Sequence, residues 1–172
     1  MEKEAALPLG EMLRRVMRHW VTGVTVVTST FGESRHGMTV NSFLSISIEP
    51  PLVTVTMNTD TRTFTLVRQS GVFAVTILSR AQKELAQRFA GRGHEGEERM
   101  AGLKTFTLAT GAPLLLGGVA FVDCRVVHQY EMLHSTLLIG EVLAARQAEE
   151  TLPPLVYSNR VFTGLAETNI II

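Results

Sequence analysis

A long set of short hydrogen-bonding side chains interleaved with apolar ones lies at residues 36–52, HGMTVNSFLSISIEPPL. There Thr39, Asn41, Ser42, Ser45 and Ser47 interleave with Met38, Val40, Phe43, Leu44, Ile46 and Ile48. This alternation is the period-two pattern of a strand with one face in a core. The other face carries short hydroxyl and amide groups where a solvent face usually carries Lys and Glu. Two readings fit it, an ordinary half-exposed strand or a floor for a flat ligand with polar edges. A second polar run, residues 58–63 (NTDTRT), sets the cation Arg62 among hydroxyls and can hold a phosphate.

Other chemistries find less support. His19, His36, His94, His128 and His134 are scattered without a pair at ligand spacing, and Cys124 alone cannot complete a zinc site, so no metal is expected. Ser42 or Ser45 as a nucleophile lacks an identifiable base, and no G-x-S-x-G elbow exists. Neither a G-x-x-x-x-G-K-[ST] loop nor a G-x-G-x-x-G turn is present. What remains is binding by many weak polar groups, which suits a cofactor that carries its own reactivity. A flavin fits, because its ring edge alternates donors and acceptors that Thr, Asn and Ser can match. Many other polar ligands fit as well.

The elements that must position these groups read mainly as strands. Residues 9–20 repeat apolar positions at three and four, from Leu9 to Trp20, and predict an amphipathic helix. Residues 22–30 predict a first strand, with Gly32 turning the chain into the polar stretch. A strand at 52–57 leads to the 58–63 loop, where Asp60 or Thr61 caps a helix that Gly71 ends. A strand at 72–78, an N-cap at Ser79 and a helix over 80–89, with Leu85, Ala86 and Phe89 inward, follow. The glycine- and charge-rich run 90–102 reads as a mobile surface loop. Strands at 105–108, 119–130, 135–146 and 155–158 complete a count of about eight, hairpin-connected strands with three short helices. That favours an antiparallel barrel.

Bulk properties narrow the partners. At 172 residues one domain spanning 1–172 is expected, with a real core. Lys plus Arg equals Asp plus Glu at 16 each, so no global field attracts nucleic acid or a membrane. Hydrophobic residues make up 45% and mean hydropathy is +0.20, more than a monomer needs, which points to a subunit interface. The first residues, MEKEAALPLGEM, lack the order of a signal peptide, and no apolar run is long enough to span a bilayer. With a single cysteine, read as a buried small hydrophobe, a cytoplasmic protein is expected.

Six segments in order, WVTGVTVVT (20–28), HGMTVNSF (36–43), SISIEPPLV (45–53), GVFAVTILS (71–79), AQKELAQRFAG (81–91) and LLIGEV (137–142), closely resemble the flavin reductase family. These are the short-chain NAD(P)H:flavin oxidoreductases that serve as small components of two-component monooxygenases. The resemblance implies an FMN-binding split β-barrel, antiparallel and Greek-key-like with a few peripheral helices, working as a homodimer. It implies FMN or FAD as cofactor, NADH or NADPH as donor, and a flavin-dependent monooxygenase as partner. By it Gly37, Met38, Thr39, Asn41 and Ser42 line the isoalloxazine. Thr56, Asn58, Thr59, Arg62 and Thr63 hold the ribityl chain and phosphate, and Arg88, Phe89 and Ala90 close over the flavin. Each also has a plain reading: Asn58 and Thr59 as turn residues, Phe89 as core, Arg88 as a solvated charge.

The chain departs from the family pattern on the donor side. Before its L-x-x-G-E-V strand the family carries Gly-Asp-His, whereas the ungapped register here gives Leu133, His134 and Ser135, displacing the histidine by one. Along a strand that shift reverses the face unless a bulge corrects it. The family's late tyrosine falls on Phe162, while the segment from Tyr157 to Arg160 still matches one that contacts the pyridine nucleotide. The leading expectation is an NAD(P)H-dependent flavin reductase with no catalytic side chain beyond those that position the rings. The alternative is a flavin-binding electron carrier that does not oxidise NAD(P)H efficiently. A third reading repurposes His134 or His36 as an acid or base. Arg92, Arg99 and Arg160 are equal candidates for a 2′-phosphate.

Overall fold

The computed structural model describes residues 7–91 and 99–165. Its main feature is a seven-stranded antiparallel sheet built from β2 (Thr25–Phe31), β3 (Ser34–Val40), β4 (Leu44–Ser47), β5 (Leu52–Asn58), β6 (Val72–Ile77), β9 (Ala120–Glu131) and β10 (Ser135–Gln147). The spatial order is β3-β2-β6-β9-β10-β5-β4. β3 and β4 are consecutive in the chain but lie at opposite ends of the sheet, so residues 41–43 bridge its two edges. The sheet therefore curls into a barrel that is split at that seam. Around it lie β1 (Thr22–Gly23), which pairs with β11 (Val156–Ser158) and through it β12 (Val161–Thr163), and a small pair, β7 (Thr105–Phe106) with β8 (Leu114–Leu115).

Local sequence accounts for most elements. Gly32, at φ 57°, makes the β2–β3 turn in a left-handed conformation that glycine adopts without strain. β5 buries Val53, Val55 and Met57 and leaves Thr54 and Thr56 half-buried on the other face. α2 (Arg62–Ser70) starts at Thr61, whose hydroxyl accepts from the Phe64 N–H at 3.3 Å, and ends at Gly71 in the left-handed conformation. Of the two predicted caps it is thus Thr61 that serves. Ser79 opens a short 3-10 turn, Arg80–Gln82, that continues into α3 (Lys83–Phe89). The predicted single helix over 80–89 is therefore two pieces.

Two faces of the sheet carry two cores. Inside the barrel Val27, Val55, Met57, Phe73, Val75 and Leu138 pack with Phe64 and Val67 of α2. On the outer face of β2, Val24 and Val26 pack under Leu78, Ala86, Phe89, Leu115 and Leu155. Because both faces of β2 are covered, Val24 to Ser29 are all buried and its sequence shows no alternation. Gly140 sits where a Cβ would stand 2.5 Å from the Phe73 ring, which explains the glycine in LLIGEV.

Three expectations need correction. The stretch 36–52 is not one strand with a buried apolar face. It is β3, a break at 41–43, and β4, whose Leu44 and Ile46 are 61% and 46% exposed, with Ile48 just beyond it 79% exposed. β4 is an edge strand, and its apolar side faces out of the barrel. The helix predicted over 9–20 is α1 (Leu9–Met17) and buries no residue at all, with Leu13, Val16 and Trp20 all more than half exposed. Finally, β12 was not foreseen. Its hairpin turn uses Asn159 and Arg160, both at positive φ, in place of glycine. The loop expected at 90–102 falls largely on 92–98, outside the described residues, as does Arg92.

Cys124 is fully buried, and burial first, then the neighbouring Asp123 charge, pushes its thiol up from 9.0 to about 12. The thiol is therefore neutral and inert near neutral pH. Its raised value contributes stability below about pH 9 that is lost as pH rises toward about 12, because the unfolded thiol ionises first. Iodoacetamide at about pH 8 is expected to label Cys124 only after unfolding, read by intact mass. Labelling of the folded protein at the rate of a free thiol would contradict the burial.

Candidate functional site

The seam of the barrel, α3 and the β11–β12 hairpin meet at an open cleft of about 170 Å³. Val24 and Val40 form its apolar floor, Thr39 and Asn41 its polar edge, and Ala90, Tyr157 and Phe162 its remaining walls. The Thr39 hydroxyl donates to the Ala86 carbonyl at 2.7 Å and so ties β3 to α3. Gly37 lets that approach happen: a Cβ there would stand 3.0 Å from Phe89 Cε1 and 3.0 Å from Thr28 Cγ2. The Tyr157 and Phe162 rings, paired across the hairpin, have centroids 5.2 Å apart and planes inclined by 50°. The hairpin is tethered to the end of α1 by the Asn159 N–H on the Arg18 carbonyl at 2.8 Å.

The 58–63 loop is a second, ordered polar group. Asn58 Oδ1 accepts from the Asp60 N–H at 2.9 Å, and the Thr61 hydroxyl donates to the Asn58 carbonyl at 2.8 Å. Met38 Sδ lies 3.6 Å from the Thr61 hydroxyl, linking this loop to β3. The Thr59 N–H donates to the His134 carbonyl at 3.2 Å, and Ser135 pairs with Asn58, so the end of β10 braces the same loop. Arg62 is exposed at the first residue of α2. A cation and free helical N–H groups together suit an anion.

Of the predicted flavin contacts, Thr39, Asn41 and Ala90 are brought together in the cleft with Tyr157 and Phe162 from the donor side. Others act behind it. Thr63 is fully buried and its hydroxyl bonds His36 Nδ1 at 2.8 Å, while Phe89 is 1% exposed beneath Gly37. Neither side chain has exposed surface of its own. Ser42 Oγ donates to the Thr56 carbonyl at 2.9 Å and accepts from the Thr56 N–H at 3.1 Å. Both residues thus fasten the seam. Arg88 Nη2 donates to the Ala101 carbonyl at 2.8 Å. Asn58 shapes its own turn, and Met38 packs against the barrel core.

His134 lies apart from the cleft-lining residues, exposed, and Arg160 sits at the exposed hairpin tip. β10 pairs with β5 residue for residue from Ser135 to Glu141. The irregularity at Ile139/Gly140 adds its extra residue on β9, and the one at Val142/Ala144 comes later. No bulge on β10 therefore restores the displaced histidine. Sequence reasoning missed Val24 and Val40 as the floor. Their only signal was an apolar residue beside a glycine or a polar run.

The model of the flavin reductase like domain matches residues 17–166. The chain belongs to that family. It is 35% identical over 133 residues to an NADH-dependent flavin reductase of a Rhodococcus species, covering 76% of this chain and 73% of that protein. It is 30% identical over 155 residues to the reductase component of 4-hydroxyphenylacetate 3-monooxygenase of Thermus thermophilus, covering 90% and 96%. The structure of the NADH:FAD oxidoreductase SgcE6 of Streptomyces globisporus with NAD and FAD fragments superposes with a TM-score of 0.85 at 31% identity, over 97% of this chain and 99% of that one. The fold is accordingly the split barrel of the flavin reductases, mainly β with few helices.

The site's donor set fits a flavin. The cleft offers an apolar floor for a ring system, Thr39 and Asn41 for its heteroatom edge, and aromatic rings as a wall. The exposed Arg62 at the start of α2 offers a cation to a phosphate.

Proposed function

We propose that this chain is an NAD(P)H:flavin oxidoreductase that reduces FMN or FAD with NADH or NADPH and hands the reduced flavin to a monooxygenase. The observation that carries this reading is the single cleft in which Thr39, Asn41 and Ala90 face Tyr157 and Phe162. Relatives named as NADH-dependent flavin reductases and as reductase components of monooxygenases support it. A bound flavin supplies the two-electron redox chemistry. The chain's own residues supply placement. Asn41 can both donate and accept at a ring edge. Val24 and Val40 exclude water beneath it, and Tyr157 with Phe162 bounds the space where a second aromatic ring can stack. Arg62, with Thr59 beside it, neutralises a phosphate. No acid or base is required, because hydride transfer depends chiefly on ring-to-ring approach.

One unit spanning 1–172 that works as a homodimer in the cytoplasm, with neither nucleic acid nor membrane as a partner, completes the reading. Among the described residues no helix is long and apolar enough to cross a membrane. The bare apolar faces of α1 and β4 support a second copy as their cover. Between them runs a groove of about 420 Å³ lined by Trp20, Val21, Phe43, Leu44 and Ile77, which reaches Asn41 at the cleft. The uncorrected register of His134 favours one other reading, a flavin-binding electron carrier reduced by another protein.

The purified protein is to be mixed anaerobically with FMN or FAD and then NADH or NADPH. Bleaching of the flavin's visible absorbance faster than the flavin-only blank is expected with at least one donor. Retention of flavin through dialysis with no bleaching by either donor would instead establish the carrier.

A further inference from the structure

The last carbonyls of a helix have no partner within it. At the end of α3 one of them, the Phe89 carbonyl, accepts from Arg99 Nη1 at 3.1 Å. Arg99 is half-buried, and its guanidinium lies across Gly91, where a Cβ would stand 2.8 Å from Nη2. Gly91 also has φ +79°, a left-handed conformation that favours glycine. A cation on the C-terminal carbonyls of a helix is favourable both as a charge-assisted hydrogen bond and against the helix dipole. The residue so held is the one before Ala90, which walls the cleft, and the Phe89 ring beneath it supports Gly37.

The geometry points to Arg99 as a positioning residue for the flavin cleft. It caps α3 from across the chain and fixes Ala90 opposite Asn41 and Phe162, and it is not itself among the residues lining the cleft. This rests on the reading of the cleft as a flavin site.

FMN titration by quenching of its fluorescence tests it on the full chain. R99M is expected to weaken FMN binding about tenfold, the scale of one lost charge-assisted hydrogen bond, while R99K stays within about threefold of wild type. G91A is expected to weaken binding at least as much, because alanine there also takes on the strain of a positive φ. In turnover the KM for FMN should rise by the same factor, with kcat at saturating flavin within about twofold. Unchanged FMN affinity in R99M overturns the inference. So does a change in NADPH-against-NADH preference with FMN affinity intact. If wild type itself binds neither FMN nor FAD, the flavin reading of the cleft fails and this inference falls with it, an outcome distinct from wild-type binding that R99M leaves untouched.

Discussion

Valine at position 37 is expected to lower the melting temperature by about 6–12 °C and to weaken flavin binding at least about tenfold. The figure follows from an overpacking cost of about 3 kcal/mol and about 2–4 °C per kcal/mol for a chain of this length. A Cβ alone at this site meets Phe89 Cε1 at 3.0 Å, Phe89 Cδ1 at 3.2 Å and Thr28 Cγ2 at 3.0 Å. Neither neighbour can retreat. Phe89 backs onto Val24, Val26, Leu78 and Leu115 in a closed cluster, and the Thr28 hydroxyl is held by the carbonyls of Pro113 and Ala74. Valine adds two further methyl groups, so β3 must lift from α3. That lift breaks the bond from Thr39 to the Ala86 carbonyl and displaces Asn41, both at the edge of the cleft. Thermal unfolding and FMN titration measure the two effects. Shortening the ring by Phe89→Leu in the valine background should recover part of the loss, so that the double variant is less destabilised than the two single changes summed. A valine variant that melts within about 2 °C of wild type would dismiss the contact as the reason for glycine.

Where the sequence was informative, the physics was local. Gly32 in the β2–β3 turn, Thr61 and Gly71 at the two ends of α2, and the alternation of β5 each follow from a few adjacent residues, and the structure places them as read. Alternation, however, reports which side a residue faces and says nothing of which strand neighbours it. The period of two keeps the same phase on both sides of its break at Ser42 and Phe43, so β3 and β4 looked like one strand although they lie at opposite edges of the sheet. Nor can periodicity distinguish a core from an exposed apolar face, which is why Ile46 and Ile48 were expected to be buried. The polar clusters at 36–42 and 58–63 were legible as composition. The bonds that decide which members line the cleft were not. They link Ser42 to Thr56, His36 to Thr63, Thr39 to Ala86 and Arg99 to Phe89, side chains whose partners lie ten to 47 positions away and obey no spacing rule. The donor side departs from the family at Leu133 to Ser135 in the sequence, and the regular β5–β10 register leaves that departure in place.

Ser42→Ala is expected to open the seam of the barrel at one identifiable amide. The last regular pair between β4 and β5 is Leu44 with Thr54, so the next position in the ladder would match residue 42 with Thr56. There the chain has already turned toward β3, and no backbone partner reaches Thr56. The Ser42 hydroxyl takes the missing strand's place, giving a hydrogen to the Thr56 carbonyl and receiving one from its N–H. Alanine leaves both groups without their protein partner in a half-buried site, at a cost of about 1–2 kcal/mol. Hydrogen exchange at the Thr56 amide should then accelerate about tenfold, since about 1.4 kcal/mol is a factor of ten, while amides in the β9–β10 hairpin keep their rates. Melting should fall by about 2–8 °C. FMN affinity should drop several-fold, because Asn41 is the residue next to the lost anchor. Ser42→Thr keeps the hydroxyl and should restore Thr56 protection. Flavin binding that falls in the alanine variant with Thr56 exchange unchanged would mean that Ser42 touches the ligand directly, and the seam would then need another explanation.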